Sequence, residues 1–311
     1  MPSLPHLRLG SRDRAVAMTF RRDHLMIRAG DGRWVRWRLP ADFVAPSPTE
    51  PNLASSVEAA RAVQAALRAL AAPNGGFRDA VIALPDRAAH AGLSEGAGSG
   101  AVRRLRSELV RGLATTSAPS PSELDGRFRF GTLASGSLGR RSVLGAVTGS
   151  PVARQYEAAA EAAGLRVRWV DATSLALLPE WLARAADKSD RRLLLLLHRR
   201  HFVLATATGG RLSGFRMKLR AALDPDPPAL AIRRATESGR HGVSILGDGA
   251  AAVAEVARSM ASATVEARDA EEDGGTPAVS PVTDGALAAL LRRVGERPAP
   301  LKPTPVAISE T

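Results

Sequence analysis

The sequence predicts an α/β protein built from two lobes. Between residues 143 and 219 it reads as a strand, an Ala-rich helix closing at Gly164, a strand ending at Asp171, a second helix and then three strands. Alternation of apolar strand segments with helical patterns is typical of α/β folds. The segments DGRWVRWRL at 31–39 and GGRLSGFRMKL at 209–219 each follow two short strands and a turn. This repetition indicates that one lobe is a duplicate of the other.

The composition is that of a globular protein. The chain has 311 residues, 45% of them apolar, which is enough to fill the cores of two lobes. It has no cysteine, which excludes disulfides, thiolate catalysis and Cys-ligated zinc. The longest aliphatic run, 193–197, is far shorter than the roughly 20 residues of a membrane helix, and no signal peptide is evident at the start. We therefore expect a cytoplasmic protein.

The net charge of +12 suggests an anionic partner. Lysine occurs only at 188, 218 and 302, so 40 of the 43 basic residues are arginine, which is typical of a GC-rich genome. Aromatic residues make up only 4% of the chain, which leaves few platforms for base stacking. The charge also suits a protein that works beside an anionic membrane, so we expect a peripheral position at the inner membrane. A basic nucleic-acid-binding protein stays open as an alternative.

The first half of the chain reads as short strands followed by helices. Four strands are predicted in the first forty residues: 7–9, 15–20, 24–29 and 34–39. A Pro-rich connector leads to a helix at 55–71, in which apolar residues recur at helical spacing. A strand at 80–84, a Gly/Ser-rich loop at 92–100 and a helix at 102–113 follow. We assign residues 1–125 to the N-terminal lobe.

The second half repeats the alternation. A hairpin of strands 127–133 and 142–148 is followed by a helix that opens at Pro151, where proline is favoured, and ends at Gly164. The remaining predicted elements are strands at 166–170, 193–197, 202–206, 211–219, 243–246 and 264–267 and helices at 174–186, 229–238 and 250–262. We assign 126–269 to the second lobe, 270–294 to an acidic loop with a closing helix, and 295–311 to a disordered tail.

The residues resemble a known family. The stretch YEAAAEAAGLRVRWVDATSLAL at 156–177, with the strand, turn, strand and GGRL that follow, resembles the PilM family of actin-like cytoplasmic proteins in type IV pilus assembly. It is also similar to the cytoplasmic domain of GspL in type II secretion. The resemblance extends to four further segments: 7–20, 81–90, 243–267 and 285–293. It implies a two-lobed actin-like fold, of the duplicated ribonuclease H-like type.

The resemblance also implies an ATP site in the cleft between the lobes, with two phosphate-binding hairpin turns and a glycine turn beside the adenosine. In such turns glycine lets backbone N–H groups approach phosphate, and an acid holds Mg²⁺. Gly10 and Ser11 match the first turn, but Arg8 stands where the family has aspartate. The second turn, within 195–200, has neither aspartate nor glycine, whereas the third, Gly247-Asp248-Gly249, keeps its glycines.

These departures predict a protein without catalytic residues. Gly10, Ser11, Gly247, Asp248 and Gly249 remain candidates for residual nucleotide binding, and we expect no required cofactor. A cluster of arginines could hold an anion if the two turns face each other: Arg8, Arg12, Arg14, Arg199 and Arg200.

Two other patterns in the sequence suggest different kinds of site. Residues 247–252 match the dinucleotide fingerprint G-x-G-x-x-A, with Glu266 further along, but a Rossmann half needs more βαβ units after it. His198 and His201 suggest a metal site, yet residues three apart on one strand face opposite sides and no third ligand is near in sequence. We therefore predict no metal site.

The sequence as a whole, with the resemblance, predicts a catalytically silent actin-like scaffold of a type IV pilus or type II secretion platform. The family's partner is the cytoplasmic tail of a single-pass membrane protein similar to PilN, which docks on the N-terminal lobe. An ATP-binding protein with a divergent nucleotide site is the first alternative, and the nucleic-acid-binding protein is the second.

Overall fold

The computed structural model describes ten stretches of the chain: residues 14–70, 76–96, 99–114, 126–133, 142–185, 191–221, 224–237, 241–260, 264–268 and 280–294. The strands are β1 Ala15–Phe20, β2 His24–Ala29, β3 Trp34–Arg38, β4 Asp79–Leu84, β5 His90–Glu95, β6 Gly126–Leu133, β7 Ser142–Gly149, β8 Arg166–Ala172, β9 Arg191–His198, β10 His201–Thr208, β11 Arg211–Leu219, β12 His241–Gly247 and β13 Thr264–Arg268. The helices are α1 Ser56–Ala69, α2 Ser99–Ala114, α3 Ser150–Ala162, α4 Thr173–Ala185, α5 Asp226–Thr236, α6 Ala250–Met260 and α7 Pro281–Arg293.

Two five-stranded sheets share one topology. The first has the order β3-β2-β1-β4-β8 and the second the order β11-β10-β9-β12-β13. In both, the first three strands are antiparallel neighbours and the last three run parallel. The two similar segments at 31–39 and 209–219 contain β3 and β11, which lie at equivalent edges of the two sheets. The duplication predicted from the sequence is confirmed.

Helices cover both faces of each sheet. The run Leu193–Leu197 in β9 is wholly buried because α5 and α6 pack on one face of the second sheet and α4 packs on the other. A strand covered on both faces is apolar at every position rather than at alternate positions. In the first sheet α1 and α3 cover one face, where Met18 and Ile82 are fully buried, and α7 covers the other, where Ala17 and Val81 are fully buried.

Local sequence signals explain where several helices begin and end. The hydroxyl of Ser55 accepts a hydrogen bond from the backbone N–H of Glu58 at 3.2 Å and caps α1. Pro151 lies in the first turn of α3, where its missing N–H costs no hydrogen bond. Gly164 follows α3 with a φ of +83°, which favours glycine. The predicted limits of α1 and α3 agree with the structure to within two residues.

One predicted loop contains a strand. Residues 92–100 read as a Gly/Ser-rich loop, but β5 begins at His90 and pairs with β7 in a small sheet of order β5-β7-β6. Leu93 lies opposite Leu144, and Leu105 of α2 packs beneath Gly92. Pairing with a distant strand therefore overrides the weak strand propensity of this segment.

The lobes are divided differently from the prediction. Residues 126–172 do not belong to the second lobe, because β6 and β7 pair with β5 and β8 completes the first sheet. The closing helix α7 also returns to the first lobe, where Arg293 lies 3.2 Å from Asp171 and Asp284 contacts Arg28. Most of the predicted acidic loop and all of the predicted tail lie outside the described residues. No helix among the described residues is long and apolar enough to cross a bilayer.

Candidate functional site

Two hairpin turns and a glycine turn surround a cleft between the lobes. The β1–β2 turn contributes Arg21-Arg22-Asp23, the β9–β10 turn contributes Arg199-Arg200, and Asp248 precedes α6. Together with segments after β3 and β4 they line a cavity of about 420 Å³. The duplicated topology explains this meeting, since β1–β2 and β9–β10 are equivalent hairpins of the two sheets.

The cavity is rich in guanidinium groups. Five arginines line it: Arg21, Arg22, Arg87, Arg199 and Arg200. Three aspartates also line it, but Arg22 pairs with Asp42, and Asp23 lies 2.7 Å from Nδ1 of His24. The hydrogen bond from Arg22 lowers the pKa of Asp42. The excess of positive charge suits an anionic ligand.

The first predicted turn lies outside the described residues, and another turn of the first lobe lies at the cleft. Arg8, Gly10, Ser11 and Arg12 lie outside the described residues, so their predicted roles stay predictions. The turn of the first lobe that faces the cleft is Arg21-Arg22-Asp23. A signal for it was present in the sequence, because this turn and the turn at 199–200 both carry an Arg-Arg pair between two short strands.

The second and third predicted turns do lie at the cleft. Arg199 and Arg200 line the cavity, as does Asp248 of the glycine turn. The β1–β2 turn supplies one acid, Asp23, whereas the predicted first turn within residues 7–12 has none. Neither hairpin turn contains a glycine. The backbone approach to phosphate that glycine permits is therefore missing from both.

Glycine 247 has a packing role. Its φ is +111°, and a Cβ there would lie 2.2 Å from the carbonyl oxygen of Leu197 and 2.9 Å from a methyl group of Val282. The N–H of Asp248 donates to the same Leu197 oxygen at 3.1 Å. The turn is thus pressed onto β9, which accounts for its first glycine without a ligand. The turn at 247–249 follows β12 in the second lobe, which repeats the topology of the first lobe, and it is not part of a Rossmann half.

Arg220 links two of the turns, and no pattern in the sequence indicates this role. This buried side chain donates from Nε to the carbonyl of His198 at 2.8 Å and from Nη2 to the carbonyl of Asp248 at 2.7 Å. A third donor reaches the carbonyl of Asp224 at 3.5 Å. Burial lowers the pKa of Arg220, although the guanidinium stays charged at neutral pH.

A buried cluster of Asp86, His198 and His201 lies beside the cavity. Asp86 follows Pro85 at the end of β4 and caps α4, because its carboxylate accepts from the N–H of Ser174 at 2.7 Å and from its hydroxyl at 2.5 Å. One carboxylate oxygen of Asp86 lies 2.9 Å from Nε2 of His198 and 3.7 Å from Nε2 of His201. The side chains of all three residues are at most 10% exposed.

The prediction that the two histidines face opposite sides of one strand is wrong. They belong to two paired strands, and His198 lies directly opposite His201 across the β9–β10 hairpin. Their rings stack with centroids 4.2 Å apart and planes 9° apart. The third member of the cluster, Asp86, lies 112 positions before His198 in the chain, so proximity in sequence could not reveal it.

The electrostatics of the cluster favour an ionised carboxylate. Burial by itself would raise the pKa of Asp86, but the adjacent imidazoles of His198 and His201 outweigh it and hold that pKa below its usual range. Burial lowers the pKa of His198. The close approach of His198 to Asp86 is not an aligned hydrogen bond, since Nδ1 and Nε2 of His198 and Nε2 of His201 are buried without a hydrogen-bond partner among the described residues.

Sequence comparisons identify no relative of this chain. No protein-family model matches it, and a search of curated proteins finds no match. Its similarity to known proteins lies in the fold.

Several solved structures align with this chain over most of its length. The PilM–PilN type IV pilus biogenesis complex aligns with a TM-score of 0.66 and 16% identity, covering 91% of this chain and 99% of that chain. A Bacteroides thetaiotaomicron protein with an actin-like ATPase fold aligns with a TM-score of 0.54 and 8% identity, covering 91% and 96%. The cytoplasmic domain of EpsL, from the type II secretion system of Vibrio cholerae, aligns with a TM-score of 0.42 and 13% identity, covering 89% and 94%.

The first two of these alignments, with TM-scores of 0.66 and 0.54, agree with the duplicated sheets. The fold that the sequence resemblance implied is confirmed. The chain has the two-lobed α/β fold of actin-like ATPases and is similar in structure to PilM.

Proposed function

We propose that this protein is a catalytically silent scaffold in the inner-membrane platform of a type IV pilus or type II secretion system. In this role it binds the cytoplasmic tail of a single-pass membrane partner similar to PilN. The observation that carries the proposal is an actin-like cleft whose two hairpin turns contain no glycine.

The contacts of the cleft residues support the absence of ATP hydrolysis. Mg·ATP hydrolysis needs backbone donors close to the phosphates and acids that hold the metal and its water. Here Asp23 contacts His24, Asp42 contacts Arg22, and His198 at the end of β9 points towards buried Asp86. Two of the three aspartates that line the cavity, Asp23 and Asp42, are therefore already paired within the protein.

A second candidate, an ATP-binding protein with a divergent site, draws support from the five arginines of the cavity. Guanidinium groups bind phosphate oxygens without glycine or a metal ion. Such a protein would bind nucleotide independently of Mg²⁺, which separates it from an ordinary member of the fold.

The partner proposal draws support from the similarity to PilM in the PilM–PilN complex. A short extended tail can add to the edge of a sheet or lie in a groove of the first lobe, with main-chain hydrogen bonds supplying affinity. The arginine-rich surface would add attraction to anionic lipid. Membrane association in this scheme comes from the docked partner.

Co-expression and cell fractionation test the scaffold role. A single-pass protein encoded beside this gene should move the chain into the membrane fraction, and the same partner without its cytoplasmic tail should leave it in the supernatant. Retention on membranes without any partner, resistant to a high-salt wash, would contradict the proposal.

A further inference from the structure

We infer that Asp86, His198 and His201 form a site for a divalent transition-metal ion of the zinc class, which would bridge the two lobes. The inference does not depend on the proposed partner. Asp86 extends from the first sheet, whereas the two histidines end and begin neighbouring strands of the second. An ion bound by all three would join the walls of the cleft from the inside.

The ligand atoms have suitable spacing. One nitrogen from each histidine and one oxygen of Asp86 all lie within 4.8 Å of one another. The two nitrogen-to-oxygen distances are 2.9 and 3.7 Å. In a tetrahedral zinc site with ligands at about 2.1 Å, neighbouring ligand atoms are about 3.4 Å apart. The observed distances bracket that value.

The unpaired nitrogens are an independent sign of a missing partner. Among the described residues, no atom makes an aligned hydrogen bond with the buried Nδ1 or Nε2 of His198 or with the buried Nε2 of His201. Buried polar groups without partners are rare in folded proteins, and they point to a bound ion or water. Two imidazoles and one carboxylate are donors that zinc-class ions bind, while calcium and magnesium prefer oxygen ligands alone.

Binding requires a modest side-chain adjustment. The imidazole planes are parallel to within 9°, so their lone pairs do not yet converge on one point. Rotation of the His201 ring about its Cβ–Cγ bond, a broad torsion, would turn its Nε2 towards the ion. That nitrogen makes no hydrogen bond that would oppose the rotation.

The surroundings complete the site. Ser174 holds the Asp86 carboxylate through two hydrogen bonds, which orients the acidic ligand as outer-shell contacts do in metal sites. Both histidines line the cavity of about 420 Å³, so a fourth ligand position opens towards it. Because arginines surround that cavity, the fourth position favours an anion such as phosphate or chloride.

Cobalt(II) and zinc(II) added to chelator-treated protein test the site directly. Wild-type protein should develop visible Co²⁺ absorption that saturates at one ion per chain, Zn²⁺ should displace that signal, and Zn²⁺ should raise the melting temperature. A wild-type protein with neither a Co²⁺ band nor a zinc-dependent melting shift overturns the inference. The cluster would then be an ion pair that excludes metal.

Variants show where the ion binds. His201→Asn should weaken Co²⁺ binding at least tenfold, whereas His90→Asn, which changes a histidine outside the cavity, should leave it unchanged. Equal Co²⁺ affinity in wild-type and His201→Asn protein also overturns the assignment. Because the measurement on wild-type protein needs no variant, poor folding of His201→Asn would not remove the test.

Discussion

The guanidinium of Arg220 donates a 2.7 Å hydrogen bond to the carbonyl oxygen of Asp248, and its Nε donates to His198 at 2.8 Å. One buried side chain therefore links the hairpin turn and the glycine turn of the second lobe. These two turns line the cleft, so their relative position depends on a residue that does not face the cavity.

Arg220→Met should destabilise the fold by about 2 kcal/mol, because it leaves buried carbonyl groups without donors. Arg216→Met is the matched control, since Arg216 lies in β11 four residues before Arg220 with its side chain exposed, and it should change stability by less than about 0.5 kcal/mol. Urea denaturation of both variants measures the difference. Equal free energies of unfolding for the two variants would show that the hydrogen bonds of Arg220 contribute little to the stability of the fold.

Gly247→Ala should prevent stable folding or cost more than about 4 kcal/mol, an exceptional value for one substitution. The new Cβ would lie 2.2 Å from the backbone oxygen of Leu197, where neither group can move without shifting a strand. Gly164→Ala provides the comparison, because Gly164 also has a positive φ but open space around it. Gly164→Ala should therefore lower the free energy of unfolding only by its backbone strain, about 1–2 kcal/mol.

Tyr156 offers a spectroscopic test of the first lobe's core, because it is the chain's single tyrosine. It is fully buried, its ring meets Phe20 edge-on at 5.7 Å, and its hydroxyl accepts from Asn52 at 3.3 Å. Burial raises the pKa of Tyr156 above its ordinary value. Folding stability should therefore be intact below about pH 10 and fall as the pH rises above that value, since only the unfolded chain ionises readily there.

Absorbance of the phenolate against pH measures this effect. The Tyr156 signal should appear together with loss of structure, at higher pH than in the urea-unfolded chain. Tyr156→Phe should cost about 1 kcal/mol from the lost hydrogen bond. It should also remove the part of the alkaline destabilisation that belongs to Tyr156. Phenolate formation near pH 10 in the folded protein would contradict the buried position.

Mg·ATP should bind weakly or not at all, because neither cleft hairpin contains a glycine and two of the three cleft aspartates, Asp23 and Asp42, contact other side chains. Isothermal titration at millimolar nucleotide, with and without Mg²⁺, is the measurement. Micromolar affinity that depends on Mg²⁺ would rule out the silent scaffold. Micromolar affinity without Mg²⁺ would favour the arginine-based site instead.

Local patterns in the sequence determined the helices, most strands and the duplication. Helix caps such as Ser55 and apolar spacing in α1 act over a few residues, so they can be recognised without tertiary contacts. The echo between β3 and β11 was recognisable for the same reason. The family resemblance supplied the two-lobed architecture, which the aligned structures confirm at the level of the fold.

Contacts between distant segments were decided only by the tertiary structure. β5 is a strand because β7 pairs with it, and β8 joins the first sheet although 81 residues separate it from β4. Asp86 meets His198 and His201 because a turn of the first lobe packs against a hairpin of the second. No periodicity or spacing encodes such a meeting, since burial and pairing between lobes depend on the whole chain. The sequence by itself thus determined the elements and their repetition, and the packing of the lobes determined the site.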